Sequence, residues 1–173
     1  LGMILPIVRG SSVYYMDKPP TAPVLLPALT RVRPTVMLSV PLIIEQIYKA
    51  KIQPELMKSA LLRKAIGVPV LRKALHRIAG KKLLRTFGGE LRLFCIGGAP
   101  LAPDVESFLR EAKCPYAIGY GLTETAPLIA GTGPERTRLR STGPALRGTT
   151  IRIQDPNPRT GEGEIMVKGP TVM

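Results

Sequence analysis

Two cysteines, one histidine and no tryptophan in 173 residues exclude several kinds of chemistry at once. Cys95 and Cys114 cannot build a disulfide framework, and neither has a partner at metal-ligand spacing. Cys95 stands in an apolar run and is expected as a buried small hydrophobe. With no disulfides to keep, a reduced, cytoplasmic setting is the default expectation. The single histidine, His76, lies in a basic helical stretch, where a solvated position is expected. A Ser-His-Asp or Cys-His nucleophile could be built only on His76, which has no suitable company. A phosphate-cradling loop ending in Gly-Lys-Ser/Thr is absent, and Gly97-Gly98 lacks the third glycine and the acidic partner of a dinucleotide fingerprint. The uncharged stretch 19–30 is too short and too rich in proline for a bilayer span, which needs about 20 residues.

Acidic residues are also scarce: 12 Asp and Glu stand against 25 Lys and Arg, for a net charge of +13. The excess is local. Between Lys49 and Arg92 there are twelve basic residues and only Glu55 and Glu90 as acids, so +10 of the +13 belongs to one segment. Such a segment favours anionic partners: nucleic acid, acidic lipid or phosphorylated ligands. Phe87 is its only aromatic, so stacking platforms for nucleic acid are missing. Its apolar residues recur at helical spacing, as Leu61, Leu62, Ala65 and Ile66, then as Leu71, Ala74, Leu75 and Ile78. That pattern suits core packing or a lipid surface, and a peripheral contact with anionic membrane is expected. A basic membrane- or nucleic-acid-binding module without catalysis is the alternative to an enzyme.

What is present is ample core material, 45% hydrophobic residues, in an alternating pattern of elements. Ser12–Met16 is rich in β-formers and predicts a strand. Ala22–Val32 has helical spacing, ended by Arg33-Pro34 because a residue before proline avoids the helical region. Thr35–Val40 predicts a buried strand. Pro41 suits the first turn of a helix running to about Ala50. Glu55 to about Phe87 is helical, broken near Gly67-Val68-Pro69. Leu91–Ile96 predicts a strand, Ala102–Lys113 an amphipathic helix, and Tyr116–Tyr120 another strand. Thr149–Ile153 and Glu164–Val167 predict a hairpin. The order implies an α/β fold, part of a mostly parallel sheet flanked by helices, with a C-terminal β-hairpin from a second subdomain. The boundary is placed so that 1–145 forms the α/β part and 146–173 opens an incomplete β part. The sequence starts at Leu1 and stops inside an apolar run, so a piece of a longer chain is expected.

Parallel α/β sheets bind ligands beyond the C-terminal ends of their strands, and two strand-to-loop junctions stand out. At Gly97-Gly98-Ala99-Pro100, small residues let a planar ligand approach the backbone; a simple tight turn is the other reading. At Tyr120-Gly121-Leu122-Thr123-Glu124-Thr125, a phenol, two hydroxyls and a carboxylate follow a short strand. Hydroxyls can donate to phosphate oxygens, and a lone carboxylate can hold Mg²⁺, which prefers oxygen ligands and keeps waters. A capped loop with Thr123 or Thr125 as its turn residue is equally consistent.

Tyr120-Gly-Leu-Thr-Glu-Thr-Ala-Pro127 resembles the tyrosine-gly-x-thr-glu signature of AMP-forming acyl and aryl ligases, which include long-chain acyl-CoA synthetases. Arg33-Pro-Thr35 with Val40-Pro41, Gly97–Leu101, Thr142-Gly143-Pro144, Gly161–Ile165 and Lys168–Met173 resemble further segments of that family, in order. The resemblance implies that Gly97, Gly98, Ala99 and Pro100 line an adenine. Tyr120 would pack on its face, and Gly121 would let the chain pass close to the nucleotide. Thr123 would bond the α-phosphate, and Glu124 would bind Mg²⁺. It implies attack of a fatty acid or other carboxylate on ATP, giving an acyl-adenylate, then transfer to CoA. The long helical stretch between Pro41 and Leu91 is similar to long-chain members. Leu42 stands where family members often carry arginine. The family's phosphate loop, ribose-binding aspartate and catalytic lysine do not occur in these 173 residues, so the chain alone is expected to be inactive.

Overall fold

The computed structural model describes residues 4–17, 19 and 21–173. Its centre is a three-stranded parallel sheet in the order β1 (Val36–Ser39), β2 (Leu93–Gly97) and β3 (Tyr116–Gly119). The expected α/β fold with a parallel sheet is what forms, and a separate antiparallel hairpin of β4 (Thr150–Gln154) and β5 (Glu164–Lys168) follows it.

Helices fill the long connections. α1 (Ile4–Val8) and α2 (Ala22–Val32) precede β1. Arg33 closes α2 in the left-handed region, its N–H donating to Leu29 O at 2.8 Å, and Pro34 then forbids continuation. α3 (Pro41–Ile47) starts on its proline, continues into a π-helical turn at Tyr48–Ile52 and then into α4 (Gln53–Leu56). α5 (Ala60–Gly67) is capped by Ser59, whose hydroxyl accepts from Leu62 N–H at 3.2 Å. Pro69 opens the long α6 (Pro69–Thr86), and α7 (Pro103–Glu111) links β2 to β3.

The core lies on one side of the sheet. Phe94 and Ile96 of β2 point into it and meet Ile44, Ile47, Leu83, Phe87, Val105 and Phe108. Phe87 packs edge-on to Phe94, with ring centroids 5.8 Å apart. Gly80 lets α6 approach α7, because a Cβ there would stand 2.5 Å from Ala112 Cβ. Val36 and Leu38 of β1 face the other way and remain about half exposed.

Five expectations need correction. Thr35–Val40 forms a strand but not a buried one: β1 buries no residue, and Val36 and Leu38 are about half exposed. Ser12–Met16 forms no strand; Tyr14 and Tyr15 are exposed, and no described strand lies beside them to reward their β-forming side chains. The helix from Pro41 changes to π geometry at Tyr48 rather than running as α-helix to Ala50. Cys95 is half-buried, because strand alternation points it away from the core that takes Phe94 and Ile96. His76 is buried instead of solvated. It shares the inner face of α6 with Ala79, Gly80 and Leu83.

Candidate functional site

Register sets the site. Gly97 pairs with Gly119, so β2 and β3 end level and their loops leave the same edge of the sheet side by side. Both leave from the C-terminal ends of parallel strands, where backbone and side chains are free of the ladder.

The first loop, Gly97–Leu101, is anchored from behind. Glu45 of α3 accepts a hydrogen bond from Ala102 N–H at 2.9 Å. Gly98 has φ +87°, which only glycine adopts cheaply, with nothing near its missing side chain except Val40. Gly98, Ala99 and Pro100 therefore present an exposed, low-relief surface.

The second loop is held by its own backbone. Tyr120 exchanges hydrogen bonds with Ala130 at 2.9 and 3.0 Å, closing the segment 120–130 into a ring. Inside that ring the chain crosses itself at Gly121, where a Cβ would lie 1.7 Å from Pro127 O. The glycine is thus required by the loop itself, before any ligand is considered. Thr125 is buried, accepts from Leu122 N–H at 3.0 Å and donates to Leu122 O at 2.9 Å. It is the turn residue of the two threonines. Thr123 and Glu124 are exposed, and among the described residues neither side chain enters a hydrogen bond or ion pair. Met173 N–H donates to Glu124 O at 2.9 Å.

All the residues expected at the site therefore share one edge: Gly97, Gly98, Ala99 and Pro100 on one loop; Tyr120, Gly121, Thr123 and Glu124 on the next. Sequence reasoning missed Glu45, whose signal was a lone carboxylate in the apolar helix Pro41–Ile47. No cluster of three or more metal-ligating side chains occurs among the described residues. Glu124 offers a single free carboxylate beside a hydroxyl, a donor set that fits Mg²⁺ completed by phosphate oxygens and water rather than a protein cage.

A second polar group lies on the helical side. Arg72 forks onto Glu111, with Nη2–Oε1 at 2.8 Å, and His76 Nδ1 stands 2.9 Å from Glu111 Oε2 without the alignment of a hydrogen bond. These three border a cavity of about 400 Å³ with Tyr48, Leu56 and Ile66. Hydrogen bonding to Arg72 holds the Glu111 carboxyl below its ordinary range, while burial pushes the His76 imidazole down despite Glu111. Burial lifts the thiols as well, Cys114 to about 12. The cysteines are therefore poor nucleophiles.

A family model described as AMP-binding enzyme matches residues 1–173. Long chain acyl-CoA synthetase 3 of Arabidopsis thaliana is 30% identical over 177 residues, which covers 86% of this chain and 26% of that protein. Long-chain-fatty-acid--CoA ligase FadD15 of Mycobacterium bovis is 30% identical over 167 residues, covering 86% of this chain and 27% of its own length. The chain thus spans about a quarter of the length of these curated relatives. Among solved structures, a benzoate CoA ligase from Burkholderia xenovorans superposes with a TM-score of 0.66 at 21% identity, over 99% of this chain and 30% of that one. The o-succinylbenzoate coenzyme A synthetase of Bacillus subtilis, in complex with ATP and magnesium ion, superposes at 0.62 with 22% identity, over 97% of this chain and 29% of that one. Both structural likenesses concern the fold.

Proposed function

The chain belongs to the AMP-binding enzyme family, and from that premise we propose that it is the central part of an ATP-dependent long-chain fatty acid–CoA ligase. Residues 1–145 would be part of the large nucleotide-binding domain, and 146–173 the start of the β subdomain after it. One observation carries the reading. Two parallel strands end level, and their loops offer a flat small-residue surface beside a hydroxyl and a carboxylate that no group engages by hydrogen bond or ion pair among the described residues.

The reaction has two steps. A fatty-acid carboxylate oxygen attacks the α-phosphorus of ATP; the α–β phosphoanhydride bond breaks and pyrophosphate leaves. The CoA thiolate then attacks the acyl carbonyl carbon, and the carbon–oxygen bond to AMP breaks. Gly97, Gly98, Ala99 and Pro100 would line the adenine, with Tyr120 on its face. Gly121 would keep the chain close to the nucleotide. Thr123 would donate to an α-phosphate oxygen as charge grows there. Glu124 would hold Mg²⁺, which when bound neutralises phosphate charge. Thr125 and Glu45 would act behind these residues by fixing the two loops.

Long-chain acids as substrates are supported by the names of the curated relatives and by the helical segment Glu55–Phe87. A cytoplasmic location at the inner face of a membrane fits such substrates, which partition into bilayers. No helix of the described residues is long and apolar enough to cross one. The test is exchange of radiolabelled pyrophosphate into ATP, by the protein that carries this chain, with palmitate, a short acid and benzoate in turn. Exchange driven by palmitate is expected. No exchange with any acid would rule out the ligase, and exchange with benzoate or the short acid alone would rule out the long-chain substrate. The 173 residues by themselves are expected to give no pyrophosphate release.

A further inference from the structure

The outer face of α6 is unusual for a solvent-facing surface. Helix periodicity sorts the residues cleanly. His76, Ala79, Gly80 and Leu83 face inward. Val70, Leu71, Lys73, Ala74, Arg77, Ile78, Lys81, Lys82 and Arg85 all face out. The outward set contains five cations, no acid and three large aliphatic side chains. Val70, Leu71 and Ile78 are 76%, 48% and 68% exposed. The α5–α6 corner extends the pattern: α5 buries no residue, Leu61 is 80% exposed, and Val68 at the joint is 47% exposed. Arg63 and Lys64 stand exposed between them.

The acids of the segment offset only one of these five cations. Glu55 is taken by Lys82 and Glu90 by Arg33. The remaining basic residues of the outer face have no acidic partner among the described residues, and Arg72, which does, sits half-buried behind them.

Apolar side chains that stand out of a helical corner, ringed by unpaired cations, match the chemistry of an anionic lipid surface. Aliphatic groups enter the headgroup–acyl boundary while lysine and arginine stay with the phosphates. Nucleic acid fits less well. Tyr48 and Phe87, the aromatics at the two ends of the segment, are both buried, leaving no stacking surface. The structure also redraws the surface that helical spacing suggests. Leu62, Ala65, Ile66 and Leu75 are half-buried, and Ile66 and Leu75 pack on the core.

We propose that the α5–α6 corner is a membrane-docking wedge in which Leu61, Val68, Val70, Leu71 and Ile78 insert into an anionic bilayer and Lys73, Arg77, Lys81 and Arg85 hold its phosphates. The proposal rests on the reading above only in its purpose, the capture of a bilayer-soluble acid; the surface chemistry stands on its own.

The test is co-sedimentation of the protein carrying this chain with vesicles of phosphatidylcholine alone or with one third phosphatidylserine. Two exposed-residue variants separate the components. Val70→Ser with Leu71→Ser keeps the charge; Lys73→Gln with Arg77→Gln, Lys81→Gln and Arg85→Gln keeps the aliphatic groups. Binding to the anionic vesicles is expected, and each variant should weaken the partition coefficient on the order of tenfold or more. Neither should change pyrophosphate exchange with a soluble short acid, whose site is elsewhere. Loss of exchange in wild type with vesicle binding intact would sink the ligase and leave the wedge standing. No binding to anionic vesicles at low salt would overturn the wedge. So would binding that the serine pair leaves unchanged, or a wild-type dimer that the serine pair dissociates. Tighter binding to duplex DNA than to the vesicles would also overturn it.

Discussion

Two regions of this molecule gather the side chains from which active sites are made, and they use them in opposite ways. On the α6–α7 face, a histidine, a carboxylate and a guanidinium meet in a cavity; the carboxylate and the guanidinium are paired, and the histidine is packed against them without an aligned hydrogen bond at Nδ1. Arg72 forks onto Glu111, and His76 abuts the same carboxylate behind the aromatic ring of Phe108. At the β2 and β3 loop edge, the Thr123 and Glu124 side chains lie exposed with no hydrogen-bond or ion-pair partner among the described residues, while Thr125 and the backbone around them hold the loop. The first region uses the Arg72–Glu111 pair to hold two helices together. The second leaves its polar groups free and spends Thr125, Gly121 and Glu45 on geometry. Residue type marks both regions equally; only the state of the polar groups separates a strut from a site.

The comparison breaks first at Gly121. Replacing it with alanine puts a Cβ 1.7 Å from Pro127 O, so the ring 120–130 must open. Turnover in the protein carrying this chain should fall on the order of 10²-fold or more, as expected for misplaced reacting groups. Melting should show a loss of about 1–3 kcal/mol, the range for overpacking. Wild-type turnover in the alanine variant would show that this loop does not set the site.

Glu111→Gln should do the reverse. It leaves Arg72 without its forked partner, and because Arg72 is 38% exposed water screens most of the loss, so stability should fall only slightly. Urea unfolding checks the stability, and pyrophosphate exchange at saturating substrates should stay within about twofold of wild type. A large loss of exchange would place the cavity in the chemistry.

A smaller effect follows from pH. Burial lowers His76, so the folded state resists protonation that the unfolded chain accepts near 6.5; this stability is present above 6.5 and fades as pH falls below it. Glu111 is lowered too, so its share is present above about 4.5 and fades below that value. Unfolding midpoints should therefore decline in two stages on acidification, and His76→Gln should flatten the upper one. An upper stage unchanged by that substitution would mean another group carries it.

Much of this was legible in the residues because local rules and packing agree there. α2 runs over Ala22–Val32, where spacing and Arg33-Pro34 place it. The β4–β5 hairpin forms where two apolar runs flank a proline- and glycine-rich loop. The two candidate loops were visible as small and polar residues after short strands. Position along the chain could not reveal what packing alone decides. Tyr14 and Tyr15 carry strand propensity with no strand beside them. His76 looked solvated among lysines and arginines, although its spacing to Ala79 and Leu83 already put it on the inner face. Thr125 could be told from Thr123 only by seeing which hydroxyl points back to Leu122. Gly121 was expected to spare room for a nucleotide, and its nearest obstacle is its own loop.

The central claim is that Glu124 is free because its partner is Mg²⁺ and phosphate, not protein. It is tested most directly by measuring kcat and melting temperature together for Glu124→Gln in the protein carrying this chain. A fall in kcat on the order of 10²–10³-fold is expected. The melting temperature should not change, because the exposed Glu124 side chain makes no hydrogen bond or ion pair among the described residues. Wild-type kcat at limiting Mg²⁺, or a variant that loses stability instead of turnover, would contradict the account.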